Sequence, residues 1–154
     1  MPIAKVNGQS IYYADSGGNH PAVIFAHGFF MDHTMFDAQV EILSKRCRCI
    51  AWDQRGFGET PAPGPFSYWD SAQDAVALLD YLQIDQAVFV GMSQGGFLSL
   101  RAALTCTERV RGVVLIGSEA GVNTAEEKEG YRQVFDQWKS DGPSGEIGQF
   151  VGNL

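Results

Sequence analysis

Apolar and polar positions follow two different periods along this chain, and the switches between them mark its elements. The opening pieces IAKVNG (3–8) and SIYYADSG (10–17) are β-rich and meet at Asn7-Gly8, a dipeptide that accepts the positive φ of a tight turn. They predict an antiparallel hairpin. Four short, nearly continuous apolar runs follow: AVIFA (22–26), CIAWD (49–53), AVFVG (87–91) and GVVLIG (112–117). Runs this short and this apolar are strands buried on both faces, the signature of a parallel sheet.

Between the strands lie helix-period segments, TMFDAQVEILSKR (34–46), SAQDAVALLDYLQI (71–84) and GGFLSLRAALT (95–105). In the second, Ala75, Leu78, Leu79 and Leu82 form one stripe, and Ser71 with Asp74 three residues on is a capping pair. Strands alternating with helices imply right-handed crossovers and an α/β layer fold. The sheet is expected to hold about six strands, mostly parallel, with the hairpin as its antiparallel part. A Gly/Pro-rich loop, QRGFGETPAPGPFSYW (54–69), leaves the carboxyl end of a strand, where open α/β sheets place their ligands. Beyond the last strand, Tyr131, Val134, Phe135 and Trp138 recur at helical spacing, and residues 141–154 carry no strong pattern.

Composition narrows the function classes. At 154 residues, 45% of them apolar and 19% charged, the chain is an ordinary globular sequence with room for one core domain. A formal net charge of −7 with no Lys/Arg cluster argues against nucleic acid and against anionic membranes as partners. The start has no basic segment followed by a long apolar one, and no run approaches spanning length. The expected address is cytoplasmic. Cys47, Cys49 and Cys106 are an odd set without metal-type spacing to histidine, and read as reduced structural thiols.

The chemistry concentrates at GMSQGG (91–96). Gly91-Met92-Ser93-Gln94-Gly95 matches G-x-S-x-G between a strand and a helix, the context that motif needs. A serine on so sharp a turn takes a strained backbone, and its neighbours must lack bulky β-carbons, as Gly91, Gly95 and Gly96 do. The helix that starts here aims its unpaired amides and positive dipole end at the serine. The bland alternative is a Gly-rich turn serine.

With HGFF (27–30) after one strand, WDQRGFG (52–58) after the next and GMSQGG after the third, the chain resembles the α/β-hydrolase fold superfamily. Within it, the chain is most similar to soluble esterases, lactonases and cofactor-free haloperoxidase-like enzymes. The motifs appear in family order across residues 1 to 120, the N-terminal part of such a core domain. Residues 121–154 resemble the start of a cap, the plainer reading being a helix packed on the sheet. Carried over by position, Ser93 is the nucleophile and the backbone amides of Phe29 and Gln94 form the oxyanion hole. The resemblance implies acyl-serine hydrolysis of a small carboxylic ester or lactone, with no metal and no organic cofactor. Serine argues against the dehalogenases and epoxide hydrolases of the same fold, which use aspartate at that position.

His27 shapes its loop in this family, and Asp53 and Arg55 are expected to brace theirs through hydrogen bonds. His20 and His33 read as turn and helix-start residues. Phe30 and Trp69, with Phe29, Phe57, Phe66 and Tyr68, either line an apolar acyl pocket or pack in the core. One part of the machinery is missing: a Ser-His-acid hydrolase needs its histidine after the nucleophile, and His20, His27 and His33 all precede Ser93. Glu119 stands where some relatives carry the acid, a solvated or loop-bracing glutamate being the alternative. The C-terminal strands and helices of the fold are not recognisable, so the strand at 113–116 should present an unpaired apolar edge. Three explanations compete: an incomplete form of an enzyme; a short chain that self-associates or takes a complementary chain on that edge; and a catalytically dead ligand-binding or interaction module. On the first, the 154 residues alone should be inactive.

Overall fold

A computed structural model describes residues 2–142. Its contacts divide the chain into a unit spanning Met1–Ala120 and a second starting at Gly121. The first unit is built on one sheet of six strands: β1 (Ile3–Val6), β2 (Gln9–Asp15), β3 (Ala22–Ala26), β4 (Arg48–Trp52), β5 (Ala87–Met92) and β6 (Val110–Ile116). Their order across the sheet is β1-β2-β4-β3-β5-β6, antiparallel from β1 to β4 and parallel from β4 to β6. The hairpin turns where expected, with Asn7 and Gly8 both at positive φ.

The central strand explains its own sequence. All five residues of β3 are buried, because it has a parallel neighbour on each side and helices over both faces. Alternate residues feed two cores. Ile24, Ala26, Ile50, Trp52 and Phe89 pack with Leu78, Leu79 and Leu98 of α2 (Tyr68–Tyr81) and α3 (Gln94–Thr105). On the opposite face, Val23, Phe25, Cys49, Ala51 and Val90 pack on Phe36, which enters from a 3₁₀ turn (His33–Phe36) preceding α1 (Asp37–Leu43).

Several boundaries differ from the sequence reading, each for a local reason. The first helical segment opens as 3₁₀, because Asp32 caps the amide of Thr34, and its α-helical part is short. α2 starts a turn earlier than Ser71: Ser67 is its N-cap, in a reciprocal capping box with Asp70. Ser71 and Asp74 lie buried inside the helix instead, and Asp74 holds Arg55 and Asn7. The last strand begins at Val110 rather than Gly112, through an irregular register beside Ala87 and Val88.

Among the described residues β6 is the edge of the sheet, as expected, and its Val114 and Ile116 stay 46% and 43% exposed. In the second unit, α4 (Ala125–Asp141) is longer than its aromatic stripe implied, because Thr124 and Glu127 form a capping box ahead of it. Tyr131, Val134 and Phe135 are exposed on it. None of the described helices is long and apolar enough to cross a membrane.

Candidate active site

Strands β3, β4 and β5 run in parallel, so the loops leaving their carboxyl ends gather at one rim of the sheet. Ala26 pairs with Gly91 and with Trp52, which brings the segments after residues 26, 52 and 91 together in space. These are the HG loop, the DQRGFG loop and the GMSQGG turn.

Ser93 sits at the tip of the turn between β5 and α3 with φ 46° and ψ −112°, a conformation that L-residues avoid. Its peptide groups are tied down on both sides: the Ser93 amide donates to the Ile116 carbonyl (2.8 Å) and the Ser118 hydroxyl donates to the Ser93 carbonyl (2.5 Å). The turn is so tight that glycine is required beside it. A Cβ on Gly95 would run into the carbonyl of Ala26 in β3, and one on Gly91 into the carbonyl of Gly95. The Ser93 hydroxyl itself makes no hydrogen bond among the described residues. Gln94 is the first residue of α3, so its amide has no intrahelical acceptor and points with the helix dipole toward the same place.

Phe29 follows Gly28 in the HG turn, 43% exposed, its ring tilted against Phe30 (4.1 Å between centroids) and edge-on to Phe57 (5.5 Å). Phe30 stands at positive φ. Trp69 lies apart from these rings, exposed on α2 with the Arg101 guanidinium 4.9 Å above it.

The three histidines are all accounted for. His27 is fully buried; its Nε2 accepts from the Gln54 amide (3.0 Å), which leaves the proton on Nδ1 to be donated to the Gly28 carbonyl (2.7 Å). Burial pushes its pKa below the ordinary 6.5, so the ring is neutral at pH 7 and both nitrogens are engaged. His33 is buried against Asp53, which accepts from its amide (2.8 Å) and from Nδ1 (2.7 Å). His20 is exposed at the bend before β3, at the amino-terminal end of a strand whose carboxyl end carries the site. His33 Nε2 is buried without a partner among the described residues, and none of the three histidines hydrogen-bonds the Ser93 hydroxyl.

Asp53 and Arg55 brace the loop, as their positions suggested. The other oxygen of Asp53 accepts from the Glu59 amide (2.9 Å), and Arg55 grips the buried Asp74 through Nε (2.5 Å) and Nη2 (2.8 Å). Asp32, His33 and Asp53 bring three potential metal-ligating atoms within 4.8 Å of one another. Their oxygens already serve the loop, however, since Asp32 Oδ1 takes the amide and hydroxyl of Thr34 while Asp53 takes three donors. The donor set fits a loop brace rather than a metal. The cysteines are free thiols, and burial pushes Cys49 up to about 11, which keeps it protonated and unreactive.

A depression of about 360 Å³ opens beside the turn, lined by Phe97, Gly117, Ser118 and Glu119. Glu119 is exposed there and makes no hydrogen bond among the described residues. A second hollow of about 400 Å³, at the amino-terminal ends of the strands, has Arg48 in its wall, and that charge is matched by Asp15 at 2.7 Å.

The sequence reading missed the hydrogen bonds that lock the three loops together. Gln54 donates from Nε2 to the His27 carbonyl (2.6 Å), Gln94 donates from Nε2 to Gln54 Oε1 (2.6 Å), and the Tyr68 hydroxyl donates to Gln94 Oε1 (3.2 Å). Nothing periodic announces such a network. Its only sequence signal is a pair of glutamines next to Asp53 and next to Ser93.

The comparisons with known proteins identify the family and its fold. A family model described as alpha/beta hydrolase fold matches residues 21–153. The chain is 32% identical over 119 residues to 3-oxoadipate enol-lactonase 2 of Acinetobacter baylyi, which covers 76% of this chain and 45% of the relative. It is also 32% identical over 140 residues to an epoxide hydrolase of Caballeronia sordidicola, covering 88% of this chain and 40% of that one. A thermophilic esterase from Thermogutta terrifontis superposes with a TM-score of 0.83 at 30% identity, over 94% of this chain and 56% of that one. The chain thus spans about half the length of the relatives it matches. It belongs to the α/β-hydrolase fold family.

Proposed function

We propose that the protein is a serine hydrolase of small carboxylic esters or lactones, with Ser93 as nucleophile and the amides of Phe29 and Gln94 as the oxyanion hole. The observation that carries this reading is the strained Ser93 backbone at φ 46°, ψ −112°, held at the start of α3 with a hydroxyl that makes no hydrogen bond among the described residues. In the reaction, Ser93 Oγ adds to the substrate carbonyl carbon and its proton passes to a base. The carbonyl oxygen becomes an anion facing the two amides, each such donor stabilising the transition state by about 3 kcal/mol. Collapse expels the alcohol, which in a lactone is the other end of the same molecule, and water then cleaves the acyl-serine. The relatives include hydrolases of lactones and of epoxides, and serine at position 93 favours the acyl route over the aspartate chemistry of the latter.

The base is what this sequence does not supply. Removing the base of a triad lowers turnover on the order of 10⁴-fold or more, so the 154-residue chain by itself should turn over negligibly. That no histidine bonds the Ser93 hydroxyl, with His27 and His33 tied to their own loops and His20 exposed at the far end of β3, supports a second reading, in which the chain binds esters or lactones without hydrolysing them. The two are separated by treating the chain with a fluorophosphonate probe and with p-nitrophenyl acetate, using Ser93→Ala as control. Slow labelling that vanishes in Ser93→Ala, with little turnover, is the expected result. Absence of any Ser93-dependent labelling leaves the binding module, and rapid Ser93-dependent turnover refutes the claim that a base is lacking.

A further inference from the structure

We propose that Gln54 is a positioning residue that sets both oxyanion amides at once, an inference that rests on the reading of Ser93, Phe29 and Gln94 just given. Gln54 is 1% exposed and touches no reacting atom, yet it makes contact with both arms of the proposed hole.

The first arm runs through its backbone. The Gln54 amide donates to His27 Nε2, which fixes the tautomer and lets Nδ1–H hold the Gly28 carbonyl. In a trans peptide the C=O and N–H point in opposite directions. Anchoring the Gly28 carbonyl therefore fixes where the Phe29 N–H points.

The second arm runs through its side chain. With Nε2 donating to the His27 carbonyl, Gln54 must present Oε1 to Gln94, whose Nε2 donates to it. That leaves Gln94 Oε1 outward for the Tyr68 hydroxyl. Flipping either amide would set donor against donor or acceptor against acceptor, so each of the two glutamines has one orientation. A buried amide left unmatched is costly, and the arrangement is correspondingly stiff. The side chain of Gln94 is thereby pinned to the loop that carries Phe29, and its own backbone amide is pinned with it. The separation of the two donors is set by one residue behind them.

Gln54→Met tests this, because it keeps the backbone donor to His27 and much of the volume while deleting the side-chain link. Its expected effects are a roughly tenfold slower fluorophosphonate capture of Ser93 and a shift of the Gln94 and Phe29 backbone amide resonances. The Gln94 side-chain amide protons should also exchange at least tenfold faster. Gln54→Glu supplies a readout that a merely structural role would not move. One carboxyl oxygen of the new side chain can accept from Gln94, but the other faces the His27 carbonyl and must carry a proton to bond it. Capture relative to the wild type should thus be near normal at acid pH and fall as the carboxyl ionises, with circular dichroism confirming the fold at each pH.

Capture within twofold of the wild type in both variants, with unmoved Phe29 and Gln94 resonances, overturns the proposal. If the wild-type Ser93 takes no probe, the nucleophile reading fails separately, and the resonances of the two amides then decide whether Gln54 positions them. If Gln54→Met does not fold, Gln54→Glu compared at acid and alkaline pH carries the decision.

Discussion

The strain at Ser93 has a measurable size. Replacing Ser93 by glycine leaves the turn in place but removes the Cβ that makes φ 46°, ψ −112° unfavourable. A non-glycine residue in so sparse a region carries about 1–3 kcal/mol of strain. Against that, glycine gives the unfolded chain extra freedom worth about 0.5–1 kcal/mol. Among the described residues the hydroxyl has no hydrogen bond to lose, so the side chain adds little to either side. Ser93→Gly should therefore stabilise the fold by about 1 kcal/mol, while Ser93→Ala, which keeps a Cβ and the strain, should sit near zero. Urea denaturation reads the difference as a shift of roughly 0.5–1 M in midpoint at unchanged slope. Both variants lose probe capture, so in Ser93→Gly stability and the proposed chemistry move in opposite directions. If Ser93→Gly proves no more stable than Ser93→Ala, the turn is not strained in the way described.

Four further outcomes follow from the same structure. Gly95→Ala forces a Cβ onto the Ala26 carbonyl, which no rotamer can relieve; overpacking near the top of its usual range, less at most about 1 kcal/mol of helix propensity, gives a net loss of about 2 kcal/mol. Gly112→Ala in β6, where a Cβ meets nothing, is the control that should be neutral or slightly stabilising in the same urea titration. Asp74→Ala strands the Arg55 guanidinium in a mostly buried site and should destabilise by about 3 kcal/mol or more, a loss that Arg55→Met on the same background should partly restore. Because burial lowers the His27 pKa, the unfolded chain binds a proton that the folded chain refuses; stability is full above pH 6.5 and declines as the pH falls below it, and His27→Asn should flatten that slope between pH 7.5 and 5.5.

Much of this architecture was legible because burial writes itself into sequence. The unbroken apolar run of β3 and the glycines around Ser93 record contacts on every side, and backbone carbonyls stand where side chains would be. Polar contacts between distant segments leave no such record. His33 and Asp53 are 20 positions apart and Gln54 and Gln94 are 40 apart, each in a loop or at a helix end where no period exists to flag them. Ser71 and Asp74 had the spacing of a cap, but the pair at Ser67 and Asp70 has it too and starts the helix. Spacing alone could not choose between them; the burial of Asp74 against Arg55 did.

The anchorage of Ser93 carries a mechanical consequence. Its amide hangs from the Ile116 carbonyl and its own carbonyl is clasped by Ser118, so the turn is suspended from the far end of β6. Among the described residues that strand has a neighbour on one side only. A strained bend is thus tethered to an edge plank of the sheet. Whatever stiffens or loosens β6, from a neighbouring strand to a mutation at Val114, should be felt at Ser93 as a change in how firmly the hydroxyl is presented.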